Sequence, residues 1–279
     1  MAGVSVLVLT YNEELNLPDC LASAAWSDDL HVVDSGSTDA TVEIARRFGA
    51  KVYVHPFENF SAQRNWALRN AAFRHEWVLV LDADERTPSD LAEEMQRAAA
   101  QAPQEIAGFE MRRKVFFMGS WIKYAGQFNH FWFLRLFRHR QTRYEDRSVN
   151  EYPLVEGEVR RLQGALLHEN RKPVRDLMAK YRQYAALEAR ETLKLLGHQA
   201  DTGLPARWRG TPAERRRWLK HLHLRLPFRG LRKFLYLFLW RGGIVDGVPG
   251  LVFCGLMAAQ EFMLAGELRA LKRASAATS

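Results

Sequence analysis

The sequence predicts an α/β protein in which a largely parallel β-sheet is covered by helices on both faces. Three observations in the first 100 residues predict this fold class: short, continuously apolar segments recur, helical segments separate them, and turn or cap residues follow them. Strands that are apolar on both sides fit a sheet buried on both faces, and strands that alternate with helices form parallel sheets.

Four strands and four helices are expected in this first part of the chain. The strands are predicted at 4–9, 30–33, 51–54 and 77–81, and the helices at about 13–25, 39–48, 60–73 and 88–100. The N-terminal apolar segment lacks the basic residues and the cleavage site of a signal peptide. We therefore expect a buried first strand and a cytosolic protein.

Residues 105–168 differ from the first part because their strands carry mixed charge and many aromatic residues. Strands are predicted at 109–117, 131–138 and 159–167. We expect a second, partly antiparallel sheet with an aromatic core, and the sharper alternative is that some of the rings line a groove for an acceptor. A long amphipathic helix, a linker and two further helical segments follow at 173–198, 199–212, 213–240 and 248–272.

The composition excludes several classes of protein. Hydrophobic residues make up 47% of the 279 residues, which is too many for a disordered chain. Two cysteines are too few for a disulfide scaffold. The mean hydropathy is negative, which argues against a polytopic membrane protein.

Polar clusters follow three of the predicted strands. They are Thr10-Tyr11-Asn12-Glu13, the segment from Asp34 to Thr41, and Asp82-Ala83-Asp84-Glu85. Each cluster by itself is also what an ordinary turn contains. Because parallel sheets bind ligands at the carboxyl ends of their strands, we expect the three clusters to meet at one edge and to form a site.

The residue types in these clusters indicate a nucleotide site with a metal. Asp82 and Asp84 are suited to a divalent cation such as Mg²⁺ or Mn²⁺, which prefers carboxylate and phosphate oxygens and neutralises a diphosphate leaving group. Tyr11 offers a ring for stacking on a base, and Asp34 offers an acceptor for a base N–H or a ribose hydroxyl. The chain has no Walker motif and no Gly-x-Gly-x-x-Gly segment, so neither a P-loop enzyme nor a dinucleotide binder is indicated.

Four segments together resemble glycosyltransferase family 2, whose members have the GT-A fold and use nucleotide sugars. They are Leu9–Glu13, Val33–Asp39, Gln63-Arg64-Asn65 and Asp82–Glu85. The segment Asp146-Arg147-Ser148-Val149-Asn150-Glu151, together with Leu167-His168-Glu169, resembles the branch of lipopolysaccharide core β-glucosyltransferases. The resemblance covers about residues 3–198.

The resemblance implies a role for each matching residue. Thr10, Tyr11, Asn12, Glu13 and Asp34 would hold the nucleotide, with Tyr11 and Asp34 at a base that we expect to be uracil. Arg64 would meet the diphosphate or the ribose, Asp82 the ribose or the water shell of the metal, and Asp84 the metal directly. His168 would be a metal ligand or a diphosphate contact. The bland alternatives are a helix-start acid for Glu13, a surface arginine for Arg64 and a structural histidine for His168.

The resemblance also implies an inverting reaction that needs a carboxylate as general base. Glu151 is the first candidate for this base and Asp146 the second. Asn150 stands where the branch usually has histidine, and this change leaves the identity of the donor or the acceptor open.

The positive charge of the chain is concentrated in one block. Residues 207–233 contain ten Lys and Arg against one acid, a net charge of +9 in a chain whose formal charge is +8. Aromatic and aliphatic residues follow this block, a composition typical of a membrane-surface element. The predicted membrane-associating residues are Arg215, Arg216, Arg217, Lys220, Arg225, Arg229, Arg232, Lys233, Phe234 and Trp240. The alternatives are a spanning or re-entrant hairpin, and a helical pair packed on the catalytic domain; no nucleic-acid-binding motif accompanies the block.

These observations predict a GT-A catalytic domain at 1–198 and a basic, helical, membrane-associating region at 199–279. Within the first domain, 1–100 would bind the nucleotide sugar, 101–170 the acceptor, and 173–198 would form the long helix. The predicted function is inverting, metal-dependent sugar transfer from a UDP-sugar to a lipid-linked acceptor at the cytoplasmic face of the inner membrane, with the lipopolysaccharide inner core favoured. The alternatives are transfer to polyprenyl phosphate or another cell-envelope glycan, and a non-catalytic membrane scaffold.

Overall fold

A computed structural model describes residues 3–145, 152–196, 207–209, 215, 218 and 228–277. The chain divides into two compact units, Met1–Lys172 and Pro173–Ser279. The long helix that the sequence analysis assigned to the catalytic domain therefore groups with the C-terminal residues. The reason is packing: this helix buries Ala185 and Ala189 against Leu264 and Leu268 of the last helix.

Within the described residues, nine strands form one sheet in the first unit, in the order β3-β2-β1-β4-β8-β6-β11-β5, with β7 paired to β6. Their bounds are β1 Val4–Thr10, β2 Leu30–Asp34, β3 Lys51–Val54, β4 Trp77–Asp82, β5 Glu85–Arg86, β6 Ile106–Phe117, β7 Ser120–Trp121, β8 Phe133–Arg138 and β11 Glu158–Glu169. A separate two-stranded sheet pairs β9 Thr142–Tyr144 with β10 Pro153–Val155.

The first four strands are parallel, as the sequence predicts. β1 lies between β2 and β4, and its register sets Thr10 opposite Asp34 and Leu9 opposite Asp82. The ends of these three strands therefore lie at the same edge of the sheet. This arrangement brings the three polar clusters of the sequence together.

The prediction of a second sheet for residues 105–168 is wrong. β8 pairs antiparallel with β4, β6 pairs with β8, and β11 runs parallel to β6, so these strands extend the first sheet. Without β8, the backbone of the apolar strand β4 would be left as an open edge, which is costly in a buried strand.

Helices cover both faces of the sheet. They are α1 Leu17–Ser23, α2 Thr41–Arg47, α3 Phe60–Asn70 and α4 Ser89–Gln101. One buried cluster joins Val6 and Val8 of β1 to residues of α1, α2 and α4, and the other joins Leu7 to Ala67 and Leu68 of α3. The alternation along β1 thus sends successive side chains into two cores, as expected for a sheet covered on both faces.

The predicted aromatic core of residues 105–168 is found only in part, since Phe109 and Phe137 are buried but other aromatic side chains are not. Trp121, Tyr124 and Phe131 are about 40% exposed or more. Cations lie over several of these rings; for example, Lys114 lies 5.3 Å from the centroid of Trp121.

The secondary-structure elements described in the second unit are all helical. It contains α5 Val174–Leu196, α6 Arg229–Leu235, a π-helical turn Tyr236–Trp240, a 3-10 turn Gly243–Asp246 and α7 Gly247–Ala277. Among the described residues, one segment, Gly243–Ala274, is long and apolar enough to cross a membrane, a criterion of length and composition that core helices also meet. Of the predicted membrane-associating residues, Arg216, Arg217, Lys220 and Arg225 lie outside the described residues.

Candidate active site

The site lies at the carboxyl ends of β1, β2 and β4. After β1 the chain adds β2 and β3 on one side of β1, and it then adds β4 on the other side. The strand order therefore reverses at β1. Ligands of open α/β sheets bind in the crevice at such a point. The three clusters after these strands form one continuous set of polar groups.

Asp34 organises the loops after β1 and β2. Its carboxylate accepts hydrogen bonds from the Thr10 hydroxyl at 2.9 Å, from the backbone N–H groups of Gly36 and Ser37 at 2.9 and 2.7 Å, and from the Ser37 hydroxyl. Gly36 has a φ of 89°, a conformation that favours glycine. Asp34 is 1% exposed and its four lone-pair sites are filled, so a base can bond to it directly only by replacing one of these contacts.

The loop after β1 is fastened to the loop after β2. The Asn12 N–H donates to the Ser37 hydroxyl at 2.8 Å, and the Asn12 side-chain oxygen accepts from the Thr38 N–H at 2.8 Å. Asn12 itself has a φ of 52°. Tyr11, next to it, is 59% exposed and leaves its ring free to stack on a ligand.

Glu13 makes contacts beyond those of an acid at the start of a helix. Its carboxylate accepts from the Asn16 side-chain N–H at 2.8 Å and pairs with the Lys172 ammonium at 2.6 Å. Asn16 in turn accepts from the N–H of Arg171 at 2.8 Å. These contacts join the loop after β1 to the segment that leaves β11.

Asp82 is clamped by two arginines. Arg64 of α3 donates to one carboxylate oxygen at 3.0 Å, and Arg135 of β8 donates to the other at 2.7 Å. Both guanidinium groups are less than a tenth exposed, whereas the Asp82 side chain is 34% exposed. Burial by itself would raise the pKa of Asp82, but the charges of Arg135 and Arg64 outweigh it and hold that pKa well below its usual range.

Glu85 contacts both Arg135 and Asp82 and is fully buried. It accepts from Arg135 at 2.8 Å, from Arg113 at 3.1 Å and from the backbone N–H of Asp82 at 3.0 Å. Arg135 therefore links the two acids. The two arginines supply the positive charge that the buried Glu85 carboxylate needs. Through Arg135 and the backbone N–H of Asp82, Glu85 in turn holds Asp82 in its orientation.

The segment Gln63-Arg64-Asn65 on α3 connects three parts of the site. Gln63 donates to the Ser35 hydroxyl at 3.1 Å, next to the loop after β2. Asn65 exchanges hydrogen bonds with the backbone of Tyr144, donating at 3.0 Å and accepting at 2.8 Å. Arg64, between them, is thereby directed at Asp82, so it is not the surface arginine that the sequence leaves as an alternative.

Asp84 lies close to His168, which is near the end of β11. The His168 Nε2 atom lies 3.3 Å from an Asp84 carboxylate oxygen, to which the Asn170 side-chain N–H also donates at 3.2 Å. β5 and β11 pair directly, with Glu85 opposite His168. Because Asp84 precedes Glu85, this register brings Asp84 close to His168. The buried Nδ1 atom of His168 has no hydrogen-bond partner among the described residues, so the ring has unused hydrogen-bonding capacity.

The donor set suits a hard divalent cation only in part. Asp84 and His168 converge, but both oxygens of Asp82 accept hydrogen bonds from arginines. Among the described residues, no group of three or more His, Cys, Asp or Glu could hold a metal. One carboxylate and one imidazole fit Mg²⁺ or Mn²⁺ when phosphate oxygens and water supply the other ligands.

The structure adds residues that the sequence analysis did not single out. Arg135, Arg113, Asn170 and Lys172 each contact a predicted site residue. One signal in the sequence was available for Arg135, which interrupts the apolar strand Phe133-Leu-Arg-Leu-Phe-Arg138. The candidate bases Asp146 and Glu151, and Asn150, lie outside the described residues.

Comparisons with known proteins indicate the family of the chain. Residues 5–153 match the model of a family described as Glycosyl transferase family 2. The lipopolysaccharide core biosynthesis glycosyltransferase LpsC of Rhizobium meliloti is 27% identical over 270 residues, which cover 92% of this chain and 91% of that protein. An uncharacterized glycosyltransferase of Rickettsia typhi is 36% identical over 97 residues, 34% of this chain and 32% of that protein.

A solved structure has a similar fold. The mannosyltransferase PcManGT from Pyrobaculum calidifontis, in complex with GDP-Man and Mn²⁺, matches with a TM-score of 0.55 over 95% of this chain and 86% of that chain. The sequences are 16% identical, so this likeness shows the fold alone.

Proposed function

The chain belongs to glycosyl transferase family 2 and has the GT-A architecture of its relatives, and from this premise we propose which sugar transfer it carries out. The donor is a nucleotide sugar, with UDP as the favoured nucleotide. The acceptor is a lipid-linked glycan at the cytoplasmic face of the inner membrane, with the lipopolysaccharide inner core favoured. The similarity to LpsC along almost the whole chain supports this choice of acceptor.

One observation carries the catalytic part of the proposal. Asp84 and His168 converge beside an Asp82 that two buried arginines hold in place, and all three lie where strands β1, β2 and β4 end. Negative groups of a diphosphate would meet cationic side chains here, and a cation bound by Asp84 and His168 would stabilise the leaving diphosphate. A non-catalytic scaffold would have no need for this arrangement.

Each residue of the site has a task in this proposal. Tyr11 stacks on the base, and Asp34 acts by keeping the two loops around the base pocket in shape. Asp82 accepts a ribose hydroxyl, because each of its oxygens retains a lone pair after binding an arginine. Arg64, which is buried beside Asp82, attracts the diphosphate. Asp84 and His168 would hold a divalent cation, which would supply positive charge to the leaving diphosphate.

In the transfer step, an acceptor hydroxyl attacks the anomeric carbon of the donor sugar. The bond from this carbon to the diphosphate oxygen breaks, and the diphosphate leaves with the electron pair. A carboxylate takes the proton of the attacking hydroxyl. We propose Glu151 for this role, with Asp146 as the second candidate. The alternative acceptors are polyprenyl phosphate and other cell-envelope glycans.

The catalytic proposal is tested by Asp84→Asn. We expect this variant to lose at least about 100-fold in metal-dependent hydrolysis of the preferred nucleotide sugar, because it keeps the shape of the side chain but loses the charge that binds the cation. Asp90→Asn is the matched control, since Asp90 is exposed on α4 and undergoes the same chemical change. Full activity of Asp84→Asn, with an unchanged dependence on Mn²⁺, would contradict the proposal.

A further inference from the structure

A group of large apolar side chains is exposed at one place in the second unit. We call this group the apolar tip; it consists of Leu235, Tyr236, Leu239, Trp240, Ile244, Val245, Val248 and Leu251. We propose that the apolar tip inserts into the headgroup layer of an anionic bilayer and holds the enzyme there as a monotopic protein. The proposal identifies the inserting segment and the mode of insertion, and it rests on the proposed function in one respect, namely that the acceptor is membrane-linked.

The backbone builds the tip as the turn of a helical hairpin. α6 passes into the π-helical turn Tyr236–Trp240, the chain reverses at Gly242 and Gly247, and α7 returns along α6. The two glycines have φ values of 79° and 67°, which other residues rarely adopt. Leu237 of this turn is buried, whereas the eight side chains of the apolar tip are exposed.

The exposed fractions are large for such side chains. Trp240 is 83% exposed, Val245 68% and Val248 66%. Contiguous exposed apolar surface on this scale marks an interaction site rather than the scattered exposure that is normal for a soluble protein. A tryptophan beside a tyrosine is typical of side chains at the level of lipid headgroups.

The same structure argues against a span by α7. Beyond Leu251, the apolar side chains Phe253, Cys254, Leu256 and Met257 are buried in protein rather than presented to lipid. Glu261 pairs with the buried Arg229 at 2.9 Å. Glu261 lies about 21 Å along α7 from its start, so a spanning α7 would carry this ion pair into the hydrocarbon core.

Charge complementarity identifies the partner as an anionic lipid surface. The block 207–233 carries +9 and ends within α6, directly before the tip in the sequence. Within the tip segment 235–251 the charged residues are Arg241 and Asp246, so the tip itself is nearly neutral. An apolar segment flanked by basic residues binds by insertion and by attraction to anionic headgroups together.

The proposal is tested on the full chain with sedimented vesicles of phosphatidylcholine, with and without phosphatidylglycerol. The wild type is expected to bind the anionic vesicles, and less so at high salt. The double variant Leu239→Ser and Trp240→Ser is expected to bind them at least about tenfold more weakly, because two exposed apolar side chains no longer enter the lipid. Since both residues are exposed, the fold should remain intact.

Phe228→Ser is the matched control. Phe228 is 72% exposed but precedes α6, at the other end of that helix from the tip. This variant is expected to keep the partition of the wild type. Hydrolysis of the nucleotide sugar, measured without lipid, is expected to be unchanged in all variants, so a failure of the catalytic proposal and a failure of the membrane proposal give different results.

Three results would overturn the insertion of the tip. The first is equal vesicle binding by the wild type and the double variant. The second is wild-type protein that resists extraction from vesicles by alkaline carbonate, which would indicate a span. The third is wild-type protein that ignores vesicles but self-associates through the tip, with the double variant monomeric.

Discussion

At the scale of single residues, the arginines around Asp82 change the interpretation of the aspartate pair. Two aspartates spaced by two residues suggest two ligands for one metal, yet Asp82 and Asp84 have different partners. Asp82 is bound by Arg64 and Arg135, whereas Asp84 meets His168 and Asn170. Alternation along a strand would place residues two apart on the same face, but β4 ends at Asp82 and Asp84 lies in the turn before β5, and this turn separates the two roles.

Cys20 is buried next to the acidic residues of the site, and its pKa reflects both its burial and their charge. Burial, followed by the charges of Glu85, Asp84 and Asp82, raises the pKa of the Cys20 thiol well above its usual range. The thiol donates to the backbone oxygen of Asp82 at 3.7 Å. It therefore stays protonated at neutral pH and serves as packing rather than as a nucleophile.

The general base is tested by Glu151→Gln. We expect this variant to bind the donor as the wild type does, with transfer slowed by about 100- to 10,000-fold, because glutamine keeps the size of the side chain but accepts no proton. Asp146→Asn is the paired variant and is expected to transfer sugar normally. The measurements are thermal shift with donor and single-turnover transfer. Normal transfer by Glu151→Gln with loss in Asp146→Asn would move the role to Asp146.

At the scale of secondary-structure elements, Asp29 connects three strands of the sheet and the loop before β4, at the edge opposite the active site. Its side chain accepts from Ser5 of β1 at 2.6 Å, from Lys51 of β3 at 2.8 Å and from the N–H of Arg74 at 2.8 Å. His31 of β2 lies 2.9 Å away. Because Asp29 is buried, these bonds replace its hydration and fix how the strands start.

This network predicts how stability depends on pH. Burial alone would raise the pKa of Asp29, but hydrogen bonds from Lys51, Ser5, Arg74 and His31 hold it well below its usual range. A carboxyl group with a depressed pKa stabilises the fold fully above its unfolded pKa of about 3.9, and this stability is lost as the pH falls further. Burial lowers the pKa of His31, so its contribution also falls on acidification, starting near pH 6.5.

The corresponding variant is Asp29→Asn. We expect it to lower the free energy of unfolding at pH 7 by about 2 kcal/mol, because Lys51 loses its charged partner. Its melting temperature should also fall less steeply than that of the wild type between about pH 5 and pH 3. Asp90→Asn serves again as the exposed control. Parallel melting curves for Asp29→Asn and the wild type across this range would refute the role of Asp29.

At the scale of the whole molecule, charge and chemistry are divided between different parts of the chain. The catalytic part is close to neutral, since the block 207–233 alone carries +9. In the proposed reaction, individual arginines such as Arg64 and Arg135, rather than the net charge, would attract the diphosphate. The net charge of the chain therefore supports the proposed membrane association and says little about the reaction.

The nucleotide is identified by a thermal-shift screen of UDP- and GDP-sugars with and without Mn²⁺. A donor at 100 times its Kd stabilises the folded state by about 2.7 kcal/mol, which corresponds to a rise in Tm of about 5 °C or more for a domain of this size. The rise should depend on Mn²⁺ in the wild type and be independent of it in Asp84→Asn. Absence of a shift with every nucleotide sugar, with and without metal, would argue against a nucleotide-sugar site.

Much of the fold and half of the site follow from local patterns. The strands β1 to β4 and the clusters at their ends are confirmed, because an apolar run that is short and bounded by turn residues is a local property. The prediction of a second sheet for residues 105–168 was wrong because strand pairing is not a local property. Whether β8 pairs with β4 or with a new partner depends on contacts far apart in the sequence.

By itself, the sequence determined the parallel core, the edge at which the polar clusters meet and the location of the positive charge. Only the tertiary structure decided that Arg135 reaches Asp82 across 53 residues, that His168 faces Asp84, and that the side chains of the apolar tip are exposed. The physical reason is that periodicity and composition act over neighbouring residues. Ion pairs and burial depend on strand order, register and the partners that each surface finds.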